Sequence, residues 1–117
     1  MRITKDATPE DLETLGLAVH ELTNGMPVTA RSKERKGIRI ENGKVVDRDY
    51  TGPVLEEVLE KGETVRKVPA TGVYKGLPVV VVPLKEDGET VAAIGVVDVT
   101  FGVYSEINII GRRRPSK

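Results

Sequence analysis

The chain has 117 residues and no cysteine, and its 18 basic residues balance 18 acidic ones, so the formal net charge is zero. This length corresponds to a single domain, residues 1–117, with its own core, whereas zero net charge argues against a general polyanion binder and the lack of cysteine excludes disulfide and thiol chemistry. Because the first residues lack the apolar stretch of a signal peptide, and no run approaches the roughly 18 apolar residues of a membrane span, we expect a cytoplasmic protein.

The first predicted element is a helix over about 9–24. Thr8 suits its N-cap, Pro9 its first position, and Asp11 the position at which a capping box needs an acidic side chain. Gly25 suits the end of the helix. The residues expected to form its core-facing apolar stripe are Leu12, Leu15, Val19 and Leu22, with Ala18 at the edge.

Two residues of this helix lie outside the apolar stripe. Leu17 falls on the opposite, polar face, where a leucine is either simply exposed or part of a contact. His20 is the one histidine of the chain, and we expect it to be exposed and structural. Since no second ligand cluster accompanies it, the sequence predicts no metal, haem or other cofactor.

A β-hairpin is predicted over about 36–49. The Asn-Gly pair at 42–43 lies between two short apolar runs, which is a strong signal for a two-residue turn. Such a turn fixes the cross-strand pairs, which are Ile40 with Val45 and Ile38 with Asp47. The preceding residues 27–32 are a candidate for a further strand of the same sheet.

A second, shorter helix is predicted over about 52–61. Thr51 suits its N-cap, Pro53 lies near its start, and Gly62 suits its C-terminal stop. The apolar residues expected to face the core are Val54, Leu55, Val58 and Leu59.

A three-stranded antiparallel meander is predicted over about 63–100. The turn dipeptides Lys-Gly at 75–76 and Asp-Gly at 87–88 separate its three runs. Pro69 favours the sheet edge for the first run, because proline cannot donate a ladder hydrogen bond. The tail, residues 101–117, fits either a short helix or an irregular strand that covers the core.

Two-residue turns at both positions also fix which residues of the meander share a face. Leu77 would lie between Tyr74 and Asp98, and the next rows would place Val79 beside Val96 and Val81 beside Ile94. The predicted ligand-binding residues on this face are Tyr74, Leu77 and Asp98 at the rim and Ile94 and Val96, with Val79 and Val81, in the floor.

Two features of this face have more than one interpretation. Gly72 would leave a gap beside Val79, which is either a bulge or room for a ligand. Asp98 either hydrogen-bonds Tyr74 at the rim or marks the end of the strand and caps the next segment through the backbone of Phe101 or Gly102.

The opposite face of the inner strands is also apolar, and Val80 is one of its residues. A sheet with one solvated face would alternate apolar and polar residues, so each face must be covered. The cover is either a helix on each side or a helix on one side and a partner subunit on the other. We predict a homodimer whose interface contains Leu17 of the first helix or Val80 of the sheet.

The order of the predicted elements resembles the PAS-like (profilin-like) sensor fold, an α+β fold with a five-stranded antiparallel sheet. TGPVLEEVLEKGETV (51–65) is similar to the helix that enters the third strand of such domains. VVVPLKEDGETVAAIGVVDVT (80–100) is similar to their last hairpin, which often ends in an Asp-hydrophobic-Thr triplet. With one short inserted helix beside the N-terminal one, the resemblance implies a small ligand cavity at most. The chain also resembles a small uncharacterised family of stand-alone proteins from methanogenic archaea, which implies no assigned activity.

Three functions compete at this point. The first is a stand-alone PAS-like regulatory module that binds a small ligand or a protein partner. The second is a structural or interaction homodimer without a ligand. The third, and weakest because the net charge is zero, is nucleic-acid attachment through Arg112, Arg113 and Arg114. An enzyme is not expected, since the sequence shows neither an activated nucleophile nor an acid–base pair.

Overall fold

The computed structural model describes residues 2–99, which form an α+β domain with two helices and a six-stranded antiparallel sheet. Its elements are α1 (Pro9–Leu22), β1 (Val28–Ser32), β2 (Gly37–Glu41), β3 (Lys44–Tyr50), α2 (Pro53–Lys61), β4 (Val65–Lys67), β5 (Val79–Glu86) and β6 (Glu89–Val97). The strand order is β3-β2-β1-β6-β5-β4. The sheet has one strand more than the predicted five, because the candidate strand before the hairpin forms as β1 and pairs with both β2 and β6.

Several predictions fall on residues 100–117 and therefore lie outside the described residues. They are the helix or cover strand of the tail, the capping by Phe101 or Gly102, the threonine of the Asp-hydrophobic-Thr triplet, and nucleic-acid attachment through Arg112, Arg113 and Arg114.

The predicted start of α1 is confirmed. The Thr8 hydroxyl accepts a hydrogen bond from the Asp11 backbone N–H at 3.2 Å, and the Asp11 carboxylate accepts one from the Thr8 N–H at 2.9 Å. This reciprocal capping box satisfies two backbone donors that a helix start otherwise leaves free. The helix ends at Leu22, where the next residue, Thr23, donates its hydroxyl to the Val19 carbonyl at 2.9 Å.

The predicted stripe of α1 is confirmed for Leu12, Leu15 and Val19, which contact the core, but not for Leu22. The most buried residues of the helix are Leu12, Gly16 and His20, while Leu22 is 82% exposed. Leu17, expected on the polar face, is half-buried and packs against the core under α1. The cause is Gly16, whose missing Cβ would lie 2.7 Å from Ile40 Cδ1. The helix therefore approaches the sheet along the glycine, and the leucines lie to either side of that line.

The two helices lie on opposite faces of the sheet. α1 packs against β1, β2 and β3, and α2 packs chiefly against β5 and β6. We call these the α1 face and the α2 face. The α1 face contributes a core of Ala7, Leu12, Val28, Ala30, Ile38, Ile40 and Ile94. The α2 face contributes a second core of Tyr50, Val54, Leu55, Val58, Leu59, Tyr74, Val79, Val81, Ala93 and Val97.

The apolar stripe of α2 and its stop are as predicted, but its N-cap is not. All four stripe residues are buried, and Gly62 ends the helix in the left-handed conformation, with φ of 69°. The N-cap is Gly52, without a side-chain hydrogen bond, rather than Thr51. The Thr51 hydroxyl instead donates to Glu56 and accepts from Arg31. Glycine is required at 52 because a Cβ there would lie 2.6 Å from the Tyr50 hydroxyl.

The predicted register of the last hairpin holds at its turn and then fails. Glu86 pairs with Glu89 as a two-residue turn requires, but Leu84 pairs with Ala92, which leaves Val91 as an extra residue in β6. Such a β-bulge shifts every later pair by one residue, and a shift of one residue moves side chains to the other face. Val79 therefore lies opposite Val97 rather than Val96.

The first run of the meander is mostly not a strand. β4 is three residues long, and residues 68–78 form a connection that we call the 68–78 loop. The Lys-Gly dipeptide at 75–76 lies within this loop and does not join two paired strands. The partner of Val79 on β4 is Lys67, so the predicted gap at Gly72 beside Val79 does not exist.

The first hairpin is closer to its prediction. Ile40 lies opposite Val45, as the Asn-Gly turn requires. Asp47 lies opposite Arg39 rather than Ile38, because the register shifts between the two pairs. That shift places the charged Arg39 and Asp47 together and leaves Ile38 for the core under α1.

Candidate functional site

The structure does not bring the five predicted ligand-binding residues together. Ile94 and Val96 pack with the core of the α1 face, whereas Tyr74 and Leu77 pack with the core of the α2 face. Asp98 follows the end of β6, where its backbone N–H donates to the Pro78 carbonyl at 2.9 Å. The prediction that the five share one face is therefore wrong, because the bulge in β6 turned its residues over and Tyr74 and Leu77 are not in a strand.

A different arrangement forms around Tyr74. The Tyr74 hydroxyl donates to Glu41 Oε2 at 2.5 Å, and Arg39 Nη1 donates to the same oxygen at 2.9 Å. Tyr74 is 7% exposed, so its phenol is held inside the domain. We call Arg39, Glu41 and Tyr74 the Tyr74 cluster.

The alternation of β2 explains why two charged residues are available at this point. Ile38 and Ile40 point to the α1 face, so Arg39 and Glu41 point to the α2 face. α2 packs chiefly on β5 and β6, which leaves this part of the face without a helix. The 68–78 loop carries Tyr74 to it, and the phenol reaches a carboxylate 33 residues earlier in the chain.

The electrostatics of the cluster favour a protonated phenol. Burial raises the pKa of Tyr74 strongly, and the hydrogen bond to Glu41 raises it further, while the hydrogen bond to Arg39 opposes both. The pKa of Arg39 is raised chiefly by its hydrogen bond to Tyr74. Burial also raises the pKa of Tyr50 on the same face. Arg39 retains one buried N–H, at Nε, that has no hydrogen-bond partner among the described residues.

A small cavity lies beside the cluster, between the 68–78 loop, α2 and the sheet. Its volume is about 30 Å³, which is enough for about one or two water molecules and too little for a metabolite. Its polar lining consists of Thr29, Tyr50, Thr71 and Tyr74. The remaining lining residues are Gly52, Pro53, Val54, Leu55, Pro69, Val73, Val79, Val81 and Val97. An apolar recess with a few hydroxyl groups is typical of ligand sites.

A second, open concavity lies at the end of β6. Its volume is about 200 Å³, and its lining residues are Arg66, Pro78, Val79, Val80, Val96 and Asp98. Val80 and Val96 pair across β5 and β6 and are half-buried. α1 packs chiefly on β1, β2 and β3, which form the other half of this face. Within residues 2–99, an apolar area with Arg66 and Asp98 at its margin therefore remains without a helix.

His20 was expected to be exposed, but it is 5% exposed and tightly bound. Its Nδ1 lies 2.7 Å from the Met26 carbonyl, and its Nε2 accepts a hydrogen bond from the Gly43 N–H at 2.9 Å. These two contacts are compatible with a neutral ring protonated on Nδ1. The histidine thus joins the end of α1 to the turn of the first hairpin, which is a structural role.

The described part of the chain offers little for other site types. Residues 2–99 contain no group of three or more His, Asp or Glu side chains placed to hold a metal ion. Neither of the two described helices is long and apolar enough to cross a membrane.

Comparisons with known proteins place the chain among archaeal sequences. A family model described as "Uncharacterized protein conserved in archaea (DUF2111)" matches residues 19–100. The chain is 46% identical over 111 residues to the uncharacterized protein MJ0405 of Methanocaldococcus jannaschii, covering 95% of this chain and 85% of that protein. No solved structure matches the chain significantly.

Proposed function

The chain belongs to the family of uncharacterised proteins conserved in archaea, and we propose that it is a non-catalytic, PAS-like regulatory module that binds a small ligand on the α2 face of its sheet. The observation that carries the proposal is the Tyr74 cluster beside an apolar cavity, under a loop without secondary structure. Convergent polar groups at the end of an apolar recess suit recognition of a small molecule.

The fold supports this proposal through its layout. A helix lies on each face of an antiparallel sheet, and the cavity lies under the inserted helix, which is where the resemblance to PAS-like domains implies a ligand. The strand added to the predicted five, β1, lies inside that sheet, between β2 and β6. At about 30 Å³ the cavity must enlarge before it admits a ligand, and the 68–78 loop is the segment whose displacement would open it.

A thermal-shift screen of the intact protein against small metabolites tests the proposal. A true ligand raises the melting temperature, because it binds the folded state alone. Thr71→Trp should abolish the shift, since exposed Thr71 lines the cavity and a bulky ring there blocks it. Lys75→Trp is the matched control, because Lys75 is exposed on the same loop and does not line the cavity. A hit that survives Thr71→Trp, or a screen without hits, would contradict the proposal.

A second candidate function, a homodimer that holds no ligand, is favoured by a separate observation. Val80 and Val96 stay half-buried on the half of the α1 face that α1 does not cover. Arg66 and Asp98 both line the concavity there. A two-fold axis would set this apolar surface of one protomer against the same surface of the other.

A further inference from the structure

We propose that Tyr74 occupies a binding subsite of its own domain and that the ligand which displaces it is a small aromatic molecule carrying a neutral hydroxyl group. This inference rests on the proposed function and deepens it by naming the ligand class. The geometry behind it is the hydrogen bond of one loop phenol to Glu41 of the sheet, at the carboxylate oxygen that Arg39 also binds.

Tyr74 belongs to the 68–78 loop, a segment that can move without unfolding the sheet. The backbone hydrogen bonds described for residues 69–77 stay within the loop: Lys75 to Gly72, Gly76 to Pro69 and Leu77 to Tyr74. Gly72 and Gly76 both have positive φ, of 91° and 84°, and are suitable hinge points. The loop is therefore held on the sheet chiefly by side chains, and Tyr74 is the most buried of its large ones.

The groups that hold the Tyr74 hydroxyl, Glu41 and its partner Arg39, belong to β2 of the sheet. They would stay in place if the 68–78 loop moved away. Without the phenol, Glu41 would lose a donor, and Arg39 already has one buried N–H without a partner. The side chains of Arg39 and Glu41 are partly buried, at 21% and 30% exposed, and leaving such groups unpaired costs free energy, so a ligand that only fills space would bind weakly. A ligand has to replace the hydrogen bonds that the phenol provides.

The charges of this pair select a neutral hydroxyl group. A ligand carboxylate or ammonium would meet both a like and an opposite charge in this ion pair, so its attraction and repulsion would largely cancel and it would gain little over a neutral group. A hydroxyl can donate to the Glu41 oxygen that Arg39 also binds, as the Tyr74 hydroxyl does.

The shape of the apolar recess determines which ring the ligand can carry beside its hydroxyl group. The Tyr74 ring packs in the apolar core of the α2 face, and the adjoining cavity is lined by Val79, Val81 and Val97. The space vacated by the ring together with the cavity of about 30 Å³ fits a single substituted ring. A phenol with a small para substituent matches this space most closely.

The test uses Tyr74→Ala in the full chain with 4-methylphenol, which replaces the deleted side chain, and with toluene, which lacks the hydroxyl. We expect 4-methylphenol to raise the melting temperature of the variant and to bind at least about tenfold more tightly than toluene by calorimetry, as one lost buried hydrogen bond implies. Glu41→Leu added to Tyr74→Ala should remove this preference. Lys75→Ala, at an exposed position of the same loop that does not line the cavity, should behave as the wild type.

Equal binding of the two probes by Tyr74→Ala, or binding of neither, would overturn the inference. If Tyr74→Ala does not fold alone, 4-methylphenol and not toluene should restore its folded circular dichroism spectrum, and failure to do so has the same meaning. Tyr74→Phe supplies a second readout: it keeps the ring but loses the hydroxyl, and amide exchange of residues 69–77 should become faster. Unchanged exchange would show that the Tyr74 hydroxyl does not hold the loop and would overturn the inference.

The two proposals can fail separately. If a compound without a hydroxyl group stabilises the wild type and Thr71→Trp abolishes that shift, the regulatory function stands and the ligand class is wrong. If Tyr74→Ala prefers 4-methylphenol but no compound, including 4-methylphenol, stabilises the wild type, Tyr74 is a permanent core residue and both proposals fail.

Discussion

A phenol buried against a carboxylate makes Tyr74 sensitive to alkaline pH. Burial and the bond to Glu41 raise its pKa in the folded protein, whereas a tyrosine in the unfolded chain titrates near about pH 10. Above that pH the unfolded chain loses the proton while the folded protein keeps it, so folding stability from this group is present below about pH 10 and falls as pH rises further.

We therefore expect the free energy of unfolding to fall more steeply above about pH 10 in the wild type than in Tyr74→Phe. Urea unfolding at a series of pH values from neutral to alkaline measures this difference. Tyr50→Phe is the companion variant, because burial raises the pKa of Tyr50 as well. Identical pH slopes for the wild type and Tyr74→Phe would show that the folded protein does not hold this proton.

His20 is expected to contribute to the free energy of unfolding through its two hydrogen bonds. His20→Ala removes a side chain that is 5% exposed and leaves the Met26 carbonyl and the Gly43 N–H without it. We expect a loss of about 2 kcal/mol in the free energy of unfolding. Leu22→Ala, two residues further along α1 at a side chain 82% exposed, should change it by less than about 0.5 kcal/mol. Equal effects of the two substitutions would contradict the bridging role.

The ends and turns of the helices and strands could be predicted where residues close in sequence determine them. Thr8 and Asp11 fixed the start of α1, the Asn-Gly turn fixed the pair of Ile40 and Val45, and Gly62 ended α2. Each of these signals acts over about four residues, through backbone groups that need a particular partner or φ angle.

The features that were predicted wrongly depend on contacts between residues far apart in sequence. No turn dipeptide marks the bulge at Val91, and the nearby proline, Pro83, lies on the facing strand β5. The bulge nevertheless decides which face Ile94 and Val96 join. The Tyr74 cluster joins residues far apart in sequence, so no local pattern indicates it. A signal was available for Gly16 and His20, which follow Leu12 at intervals of four along α1. Reading a glycine as a point of close approach would have found the buried side of α1.

The capping box of α1 is expected to contribute to the stability of the whole domain. Thr8→Ala removes the hydroxyl that accepts from the Asp11 N–H, and we expect a loss of about 1 kcal/mol in the free energy of unfolding, measured with urea. Thr64→Ala is the control, at an exposed position outside the helices. Because α1 supplies much of one core, the loss should appear in the single global transition and not as separate fraying of the helix. If the Thr8→Ala variant is as stable as Thr64→Ala, the capping box does not stabilise the domain as expected.

For the whole molecule, the question is what covers the sheet. α1 and α2 together leave one half of the α1 face without a helix, over β5 and β6. Leu17 was a candidate interface residue on α1, but it packs against its own core. Leu17→Glu should therefore lower stability rather than separate protomers. Val80, in contrast, is half-buried in the uncovered half and is the better probe of association.

We expect a homodimer formed through this half of the α1 face. Light scattering at micromolar concentration should give twice the 12.7 kDa of one chain. Val80→Asp should return the mass to one chain, since a carboxylate in an apolar contact loses its hydration without gaining a partner. Leu22→Asp, at a leucine 82% exposed on α1, should leave the dimer intact. A mass of one chain for the wild type would refute the dimer and leave the apolar face to be covered in some other way.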